Sequence, residues 1–142
     1  MRALVLFCGT GSVDRAFERL GWEVISVNIL ATFKPTHEAN ILDWDYKQYP
    51  RDYFDFCWAS PPCTQFSIAR TTGGPRDIEG ATELVQRTLE IFQHFYCPWA
   101  MENPATGLLK NQAVVQSLPF VDTTYCKFDE FPYKKKQEYG TH

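Results

Sequence analysis

The chain has 142 residues, a length that predicts a single domain with one core over residues 1–142. Hydrophobic residues make up 44% of it and aromatic residues 15%, which is enough for a globular interior, and no apolar run is long enough to cross a bilayer. The net charge of −3 lacks the basic excess that is typical of proteins that bind nucleic acids, so composition alone argues against that class.

The cysteines indicate a reducing compartment. There are five of them, an odd number without C-x-x-C spacing, and the three histidines are scattered, so neither a disulfide framework nor a metal site is expected. The N-terminal apolar run passes directly into a glycine loop and lacks a signal-peptide cleavage site, so we interpret it as a strand. With no targeting signal recognised, we expect a cytoplasmic location, or a nucleoid-associated one if the protein binds DNA despite its charge. The five cysteines are Cys8, Cys57, Cys63, Cys97 and Cys126.

The first third of the chain alternates between strand and helix patterns. Residues 3–7, ALVLF, form a continuous apolar run that is typical of a strand buried on both faces. The next segment predicts a helix with Ser12 as its N-cap and Gly21 as its C-terminal stop. Residues 23–27 and 38–42 predict the second strand and a short third strand. The apolar face of the helix contains Val13, Ala16, Phe17 and Leu20.

The rest of the chain continues this alternation. The clearest helix starts after Asp77, which is a suitable N-cap, and Glu83 and Arg87 are spaced for an i,i+4 ion pair on its polar face. Its apolar stripe contains Ile78, Ala81, Val85, Leu89 and Phe92. Three further strands are predicted, at residues 53–59, 98–103 and 119–128.

Strands that alternate with helices predict an α/β fold with a mostly parallel sheet, of the Rossmann-like, doubly wound, three-layer type. In such sheets ligands bind at the carboxyl ends of the strands, near the point where the strand order reverses. Three predicted loops leave these ends, at residues 8–12, 60–76 and 103–107. The sequence therefore predicts one site where the three loops meet.

The first of these loops, in LFCGTGS, places Gly9 and Gly11 between a strand and a helix. Glycines there let the backbone approach a ligand closely and leave the helix N–H groups available. The pattern is not the dinucleotide fingerprint G-x-G-x-x-G, because the third glycine would fall at Asp14. An ordinary tight turn is the alternative interpretation.

The second loop, ASPPCTQFS, places two prolines directly before Cys63. Proline fixes φ and also restricts the residue before it, so the backbone leading to the thiol is stiff. A preorganised thiol at the end of a strand is suited to nucleophilic attack. A buried structural cysteine beside a turn is the alternative.

The third loop follows the strand in AMENP, which ends with Glu102 and Asn103 before a proline. An acid at the end of an apolar strand is costly to bury without a partner, so it is expected to hold a proton or to bind a ligand. A salt-bridged structural glutamate is the alternative.

Taken together and in this order, LFCGTGSVDRAF, ASPPCTQFS and ENP resemble the first, fourth and sixth motifs of the DNA cytosine-5 methyltransferases. The resemblance extends from about residue 4 to residue 137, and Pro-Pro-Cys followed by Phe66 and Ser67 is its most specific part. It implies a Rossmann-like methyltransferase that transfers a methyl group from S-adenosyl-L-methionine to carbon 5 of cytosine in DNA.

The resemblance also implies roles for four catalytic residues. Cys63 would attack carbon 6 of a cytosine flipped out of the duplex, and Glu102 would hydrogen-bond or protonate N3 of the ring. Asn103 would help to hold the loop that carries Cys63. Lys135, in FPYKKK, would stand where an arginine helps to bind the base. The segment Thr71–Arg76 would close over the flipped base.

For the cofactor, the resemblance implies contacts from several loops. The glycine loop would surround the methionine part, and the loop after the fourth strand would touch the cofactor through a proline. Two pairs of residues follow the second and third strands, where the family binds the ribose and the adenine. The implied cofactor-binding residues are Phe7, Gly9, Gly11, Ser12, Asn28, Ile29, Asn40, Ile41 and Pro61.

Two of these positions depart from the family pattern. The family usually has an acid where this chain has Asn28 and Asn40, although Asp43 is close enough to replace the second acid. An amide makes a weaker hydrogen bond than a carboxylate does. The family's target-recognition region and its last helix are also not recognised in these residues.

These departures keep several hypotheses open. The chain is a minimal enzyme of low sequence specificity, one part of a split or homo-oligomeric enzyme with a separate recognition subunit, or a catalytically impaired binding module. Asn28→Asp and Asn40→Asp are expected to tighten cofactor binding if the alignment is right. RNA is an alternative substrate, because no motif here reads or rejects a 2′-hydroxyl.

Overall fold

We describe the fold from a computed structural model that covers residues 1–66, 74–124 and 135–140, with the backbone alone for 124 and 135–138. The strands in these ranges are β1 (Arg2–Leu6), β2 (Glu23–Asn28), β3 (His37–Glu38), β4 (Phe56–Ala59), β5 (Trp99–Pro104), β6 (Phe120–Thr124) and β7 (Lys135–Gly140). The α-helices are α1 (Ser12–Arg19), α2 (Ile78–His94) and α3 (Ala113–Gln116). Short 3₁₀ helices occupy Ala31–Phe33, Tyr46–Gln48 and Leu109–Asn111.

The described strands form one seven-stranded sheet in the order β3-β2-β1-β4-β5-β7-β6. Neighbouring strands from β3 to β5 are parallel, whereas β7 is antiparallel to both β5 and β6. The chain moves outward from β1 on one side and from β4 on the other, so the strand order reverses between β1 and β4. The predicted α/β, Rossmann-like fold with a mostly parallel sheet is confirmed.

Both faces of the central strand are covered. Ala3, Leu4, Val5 and Leu6 are each at most 1% exposed. Leu4 and Leu6 belong to the same buried cluster as Val85 of α2, while α1 packs against β1 and β2. Because successive side chains of a strand point to opposite faces, the sheet is the middle of three layers.

Helix α1 differs from its prediction at its start and on its apolar face. Gly11, with φ of 73°, is the N-cap, whereas Ser12 is already helical and provides no side-chain cap. Leu20 is 74% exposed, so the apolar contact comes mainly from Phe17, whose ring packs against the aromatic side chain that begins β4. Gly21 follows the helix with φ of 80°, a left-handed conformation that stops it as predicted.

Helix α2 begins where the sequence predicts it. Asp77 Oδ1 accepts a 2.8 Å hydrogen bond from Gly80 N and so caps the helix. The predicted stripe faces the core, with Ile78 half-buried at its start. Its buried members are Ala81, Val85, Leu89 and Phe92.

The predicted ion pair on α2 is wrong. Arg87 contacts Glu90 at 3.2 Å rather than Glu83. Its guanidinium also donates to Ile41 O at 3.0 Å and to Trp44 O at 3.4 Å. The backbone carbonyls of the turn after β3 therefore determine where the Arg87 guanidinium lies. Spacing along the helix alone cannot predict these contacts.

The third strand is shorter than predicted. Only His37 and Glu38 pair with β2, so the predicted strand over 38–42 is wrong beyond residue 38. Asn40 ends the strand because its Oδ1 accepts from Leu42 N at 3.2 Å and its carbonyl accepts from the next backbone N–H groups. Asparagine commonly makes such turns with its own backbone.

Of the last two strands, β6 was predicted in part and β7 was not predicted. Strand β6 ends at Thr124, and the remainder of the predicted strand 119–128 lies outside the described residues. Strand β7 was not predicted, because KKQEYG has neither an apolar run nor a clear alternation. It inserts between β5 and β6, where Met101 pairs with the one well-buried side chain described in β7, Tyr139.

Within the described ranges, no helix is long and apolar enough to cross a membrane. The same residues contain no group of three or more His, Cys, Asp or Glu side chains that could hold a metal ion. The four described cysteines are free thiols, with Cys8 and Cys57 buried and Cys63 and Cys97 half-buried.

Candidate functional site

The loops that leave β1, β4 and β5 meet at the carboxyl edge of the sheet, beside the point where the strand order reverses. Phe7 N donates to Val27 O at 2.9 Å, which joins the first loop to β2. Asn103 Nδ2 donates to Pro61 O at 3.2 Å, which joins the third loop to the second. The predicted convergence of three loops is therefore seen in the structure.

A cleft of about 680 Å³ opens at this edge, within the range of small-molecule sites. Six of the nine predicted cofactor-binding residues line it, whereas Gly11, Ser12 and Pro61 are not among its described lining residues. Its lining combines apolar side chains with amide and carboxyl groups. The six residues are Phe7, Gly9, Asn28, Ile29, Asn40 and Ile41.

The glycine loop turns sharply at the edge of the cleft. Phe7, Gly9 and Gly11 have φ values of 59°, 50° and 73°. This left-handed conformation costs glycine little but costs a residue with a Cβ about 1–2 kcal/mol, so Phe7 is strained where it lines the cleft. Arg15 Nη1 donates to Thr10 O at 2.8 Å and holds the loop closed.

A buried polar cluster lies behind this loop. Burial raises the pKa of Cys8, and the nearby negative charge of Asp14 raises it further. Burial also raises the pKa of Asp14, while a hydrogen bond from Ser26 opposes that change. Asn28 Nδ2 lies 3.8 Å from Cys8 Sγ and provides a weak donor to it. Burial and Asp14 thus favour the neutral Cys8 thiol, whereas the hydrogen bonds from Asn28 and Ser26 act in the opposite direction.

The two asparagines that replace the family's acids both bind their own backbone. Asn28 Oδ1 accepts from Leu30 N at 3.0 Å, and Asn40 Oδ1 accepts from Leu42 N at 3.2 Å. Each amide oxygen retains a second lone pair that can accept from a ligand. Asp43, which the sequence offered as a substitute for Asn40, is exposed and is not among the described lining residues.

The Pro-Pro-Cys segment borders the cleft. Ser60, Pro62, Thr64 and Gln65 line it, while Pro61 is buried and Cys63 is half-buried and is not among the described lining residues. The two prolines restrict the backbone that leads to the thiol. The residues directly before and after Cys63 therefore contact the cleft.

Contacts from β5 and the following turn hold this segment. Besides the bond from Asn103 to Pro61, Leu108 N donates to Phe66 O at 2.8 Å. Phe66 N in turn donates to Cys63 O at 3.0 Å, which closes a tight turn around the thiol. Asn103 is 1% exposed, so its amide is fixed by packing as well as by hydrogen bonding.

The remaining predicted catalytic residues are described to different extents. Glu102 lies in β5, directly before Asn103, and is 8% exposed. Lys135 begins β7, whose start is beside the carboxyl end of β5, but its side chain lies outside the described residues. Of the predicted closing segment Thr71–Arg76, only residues 74–76 are described.

Several residues of the cleft were missed by sequence reasoning. Leu30 and Phe33 line it and are among the most exposed large apolar side chains, which sequence patterns after a strand do not identify. Gln65, Asp77 and Gly80 also line it. The sequence identified Asp77 only as the N-cap of α2. Because this cap defines where α2 begins, it was the available sequence signal for the part of the helix that reaches the site.

A model of the C-5 cytosine-specific DNA methylase family matches residues 1–137. The chain belongs to this family. It is 33% identical over 156 aligned positions to a probable DNA (cytosine-5)-methyltransferase of Frog virus 3 (isolate Goorha), with 99% of this chain and 70% of the viral protein covered. These matches confirm the family that the three sequence motifs indicated.

Solved structures agree at the level of the fold. Dnmt2 methyltransferase of S. pombe superposes with a TM-score of 0.71 at 14% identity, covering 99% of this chain and 50% of that one. A SAM-dependent methyltransferase from Archaeoglobus fulgidus gives 0.52 at 18% identity, covering 72% and 44%. The chain thus spans half or less of these two proteins, and at such identities the likeness concerns the fold alone.

Proposed function

We propose that this chain is the catalytic domain of a DNA cytosine-5 methyltransferase that uses S-adenosyl-L-methionine and acts through a covalent bond between Cys63 and carbon 6 of a flipped-out cytosine. Family membership supports the reaction, and the position of Cys63 between two cleft-lining residues, Pro62 and Thr64, supports its assignment. A thiol whose neighbours in the chain border a cofactor-sized cleft suits a reaction that joins two substrates.

In this mechanism the Cys63 thiolate adds to carbon 6, and the electron pair of the 5,6 double bond moves to carbon 5. Glu102 donates a hydrogen bond or a proton at N3, which stabilises the charge that builds on the ring. The bound cofactor would supply the methyl group to carbon 5, with its sulfonium–methyl bond breaking as the carbon–carbon bond forms, and would leave as S-adenosylhomocysteine. Loss of the carbon 5 proton to a base and breakage of the bond between the Cys63 sulfur and carbon 6 then restore the double bond and release the thiolate.

Asn103 serves this chemistry indirectly. Its hydrogen bond to Pro61 O fixes the backbone two residues before the nucleophile. A misplacement of the reacting atoms by about 1 Å can lower the rate a hundredfold, so a rigid support for the thiol raises the rate without contacting the substrate. We assign Lys135 to the base or to the DNA backbone, because its strand starts at the same edge.

The cleft fits the proposed cofactor. Its volume, its apolar lining at Ile29 and Leu30 and its amide groups at Asn28 and Asn40 suit a nucleoside joined to an amino acid. The cofactor would supply an electrophilic methyl group. Phe7 and Gly9 of the glycine loop line the cleft, and the amino-acid part would lie against them.

Trapping with 5-fluorocytosine tests the proposal. Fluorine at carbon 5 cannot leave as a proton, so a DNA duplex with this base should form a stable covalent complex in the presence of cofactor. Peptide mapping should locate the adduct on Cys63. Cys63→Ser should give no adduct, and the matched variant Cys97→Ser should give the wild-type amount. An adduct on another residue, or none with cofactor bound, would contradict the proposal.

Two extensions of this experiment address substrate and assembly. An RNA duplex of the same sequence should compete weakly if DNA is the substrate, and strong competition would instead favour RNA. Specific activity measured at several protein concentrations should stay constant for a monomer, whereas a homo-oligomer would lose activity on dilution.

A catalytically impaired binding module is the second candidate. The observation that favours it is the engagement of the Asn28 amide, whose oxygen already accepts from Leu30 N. Calorimetry with S-adenosyl-L-methionine separates the two functions. Micromolar binding would favour the enzyme, whereas millimolar binding together with no 5-fluorocytosine adduct would favour the module.

A further inference from the structure

Gln65 connects two parts of the site that are distant in sequence. Its side-chain Oε1 accepts a 3.0 Å hydrogen bond from Asp77 N, and its backbone carbonyl accepts a 3.0 Å hydrogen bond from Arg76 Nη1. Both contacts run from the turn after Cys63 to the segment that begins α2. Residues 65 and 76–77 are thereby held together across eleven or twelve positions of the chain.

On one side, Gln65 is part of the turn that carries the thiol. Phe66 N donates to Cys63 O, so residues 63–66 form one tight unit. The neighbouring Leu108 N holds the far end of this unit through Phe66 O. A displacement of the Gln65 backbone therefore moves the backbone of Cys63, which is two residues away.

On the other side, Gln65 binds the N-cap of α2. The Asp77 carboxylate accepts from Gly80 N and the Asp77 N–H donates to Gln65 Oε1, so Asp77 joins the first turn of α2 to the turn that carries Cys63. A Cβ at residue 80 would meet the Asp77 carboxylate, the end of a flexible side chain, which would have to shift. The first turns of α2 also form a wall of the cleft, through Asp77, Gly80, Ala81, Glu83 and Leu84.

We propose that Gln65 is a positioning residue that couples occupancy of the cleft to the setting of the Cys63 thiol. The inference rests on the proposed function and extends it to a residue of the Pro-Pro-Cys motif to which the family resemblance assigns no role. Thr64 and Gln65 line one wall of the cleft and α2 lines another, so a molecule that fills the cleft touches both partners of the Gln65–Asp77 hydrogen bond. Whatever restrains these walls also restrains the turn that holds the thiol.

The coupling has a measurable consequence. Cys63 is half-buried, so the rate at which a reagent reaches its sulfur depends on local openings of the turn as well as on the exposed part of the residue. A molecule in the cleft should reduce these openings and slow the reaction. The net value of one hydrogen bond corresponds to about a fivefold change in such a rate. By thermodynamic linkage, the effect of the cleft on the thiol turn equals the effect of the turn on binding.

The test is the rate at which iodoacetamide alkylates Cys63, followed by peptide mapping, with and without saturating S-adenosylhomocysteine. In the wild type the ligand should slow alkylation about fivefold. Gln65→Met preserves side-chain length but removes the acceptor, and its rate should be nearly the same with and without ligand. Gln65→Glu retains the acceptor and should restore the ligand effect. Gln93→Met, an exposed change on the same helix, should behave like the wild type.

Each other outcome decides a different question. If S-adenosylhomocysteine binds but does not alter the wild-type rate, or if Gln65→Met retains the fivefold effect, the inference is wrong and the proposed function stands. If S-adenosylhomocysteine does not bind at all, the proposed function fails and the inference fails with it. Should Gln65→Met not fold, Gln65→Asn, which keeps the amide but falls short of Asp77 by one methylene, gives the same two readings.

Discussion

Two regions of the molecule carry thiols, at opposite edges of the parallel strands. Cys63 follows β4 at the carboxyl edge, whereas Cys57 lies near the start of β4 and Cys97 lies just before β5, at the amino edge. The Sγ atoms of Cys57 and Cys97 are 3.5 Å apart. Their hydrogen bond lowers the pKa of Cys97, against the opposing effects of burial and of Asp55, and together with burial it raises the pKa of Cys57.

The difference lies in what each region controls. At the amino edge a neighbouring side chain alters the pKa of a thiol. At the carboxyl edge, backbone contacts from Asn103 and Leu108 fix where the thiol is. A low pKa alone therefore does not identify a catalytic cysteine, and the family motifs point to the thiol whose position is fixed.

The largest expected effect concerns Glu102, the acid in β5 at the carboxyl edge. Glu102→Gln removes the proton that stabilises the ring as the thiolate adds, so the rate of adduct formation should fall by about a hundredfold to a thousandfold. Trapping kinetics with 5-fluorocytosine DNA measure this rate. Glu90→Gln, on the exposed face of α2, is the control, and equal rates for the two variants would contradict the role of Glu102.

Removing the support of the thiol loop should have the next largest effect. Asn103→Ala leaves the Pro61 carbonyl without its donor, which should lower the free energy of unfolding by about 2 kcal/mol. Denaturant titration measures this loss, and trapping kinetics should show a decrease of about thirtyfold. Asn111→Ala, an exposed residue near the same turn, should change neither. A stable Asn103→Ala variant with full activity would show that backbone positioning is unimportant.

The cofactor cleft at the carboxyl edge offers a change in the opposite direction. Asn28→Asp converts a neutral acceptor into a charged one, so S-adenosylhomocysteine should bind about tenfold more tightly. Calorimetry gives the dissociation constant. Asn111→Asp adds the same charge outside the cleft and should leave binding unchanged. Weaker binding by Asn28→Asp would mean that the amide is the better partner in this chain.

The smallest expected effect tests the amino edge. Cys57→Ala removes the donor that lowers the pKa of Cys97, so that pKa should rise and the thiolate fraction at a given pH should fall. The pH profile of iodoacetamide alkylation at Cys97 should move to higher pH, with a rate about fivefold lower near neutral pH. Cys8→Ala is the control, and an unchanged profile in Cys57→Ala would contradict the pairing.

Much of the fold was predictable because local signals agreed with the global topology. The apolar run of β1, the stop at Gly21 and the cap at Asp77 each act within a few residues. The convergence of three loops also followed from the rule that parallel strands place their carboxyl ends together. Fold and catalytic loops were therefore accessible to sequence reasoning.

The failures involve contacts between segments that are distant in sequence. Strand β7 forms because it inserts between β5 and β6, and its own sequence lacks a strand pattern. Arg87 turns toward carbonyls about 45 residues earlier in the chain, which helix spacing cannot indicate. The sequence predicts that Pro61 contacts the cofactor, but Pro62 is the proline that lines the cleft. The choice between two adjacent prolines depends on how the extended segment enters the cleft.

The insertion of β7 between β5 and β6 also determines when the site can be completed during synthesis. Strands β1 to β5 can assemble as soon as residue 104 has emerged from the ribosome, but the outer side of β5 then presents an open row of backbone donors and acceptors. That side carries Glu102 and Asn103, and it acquires its neighbour only after residues 135–140 emerge. A nascent chain that stalls in this interval has an unpaired edge strand, β5, that contains Glu102 and Asn103. Chaperone binding or misassembly should therefore concentrate at this strand.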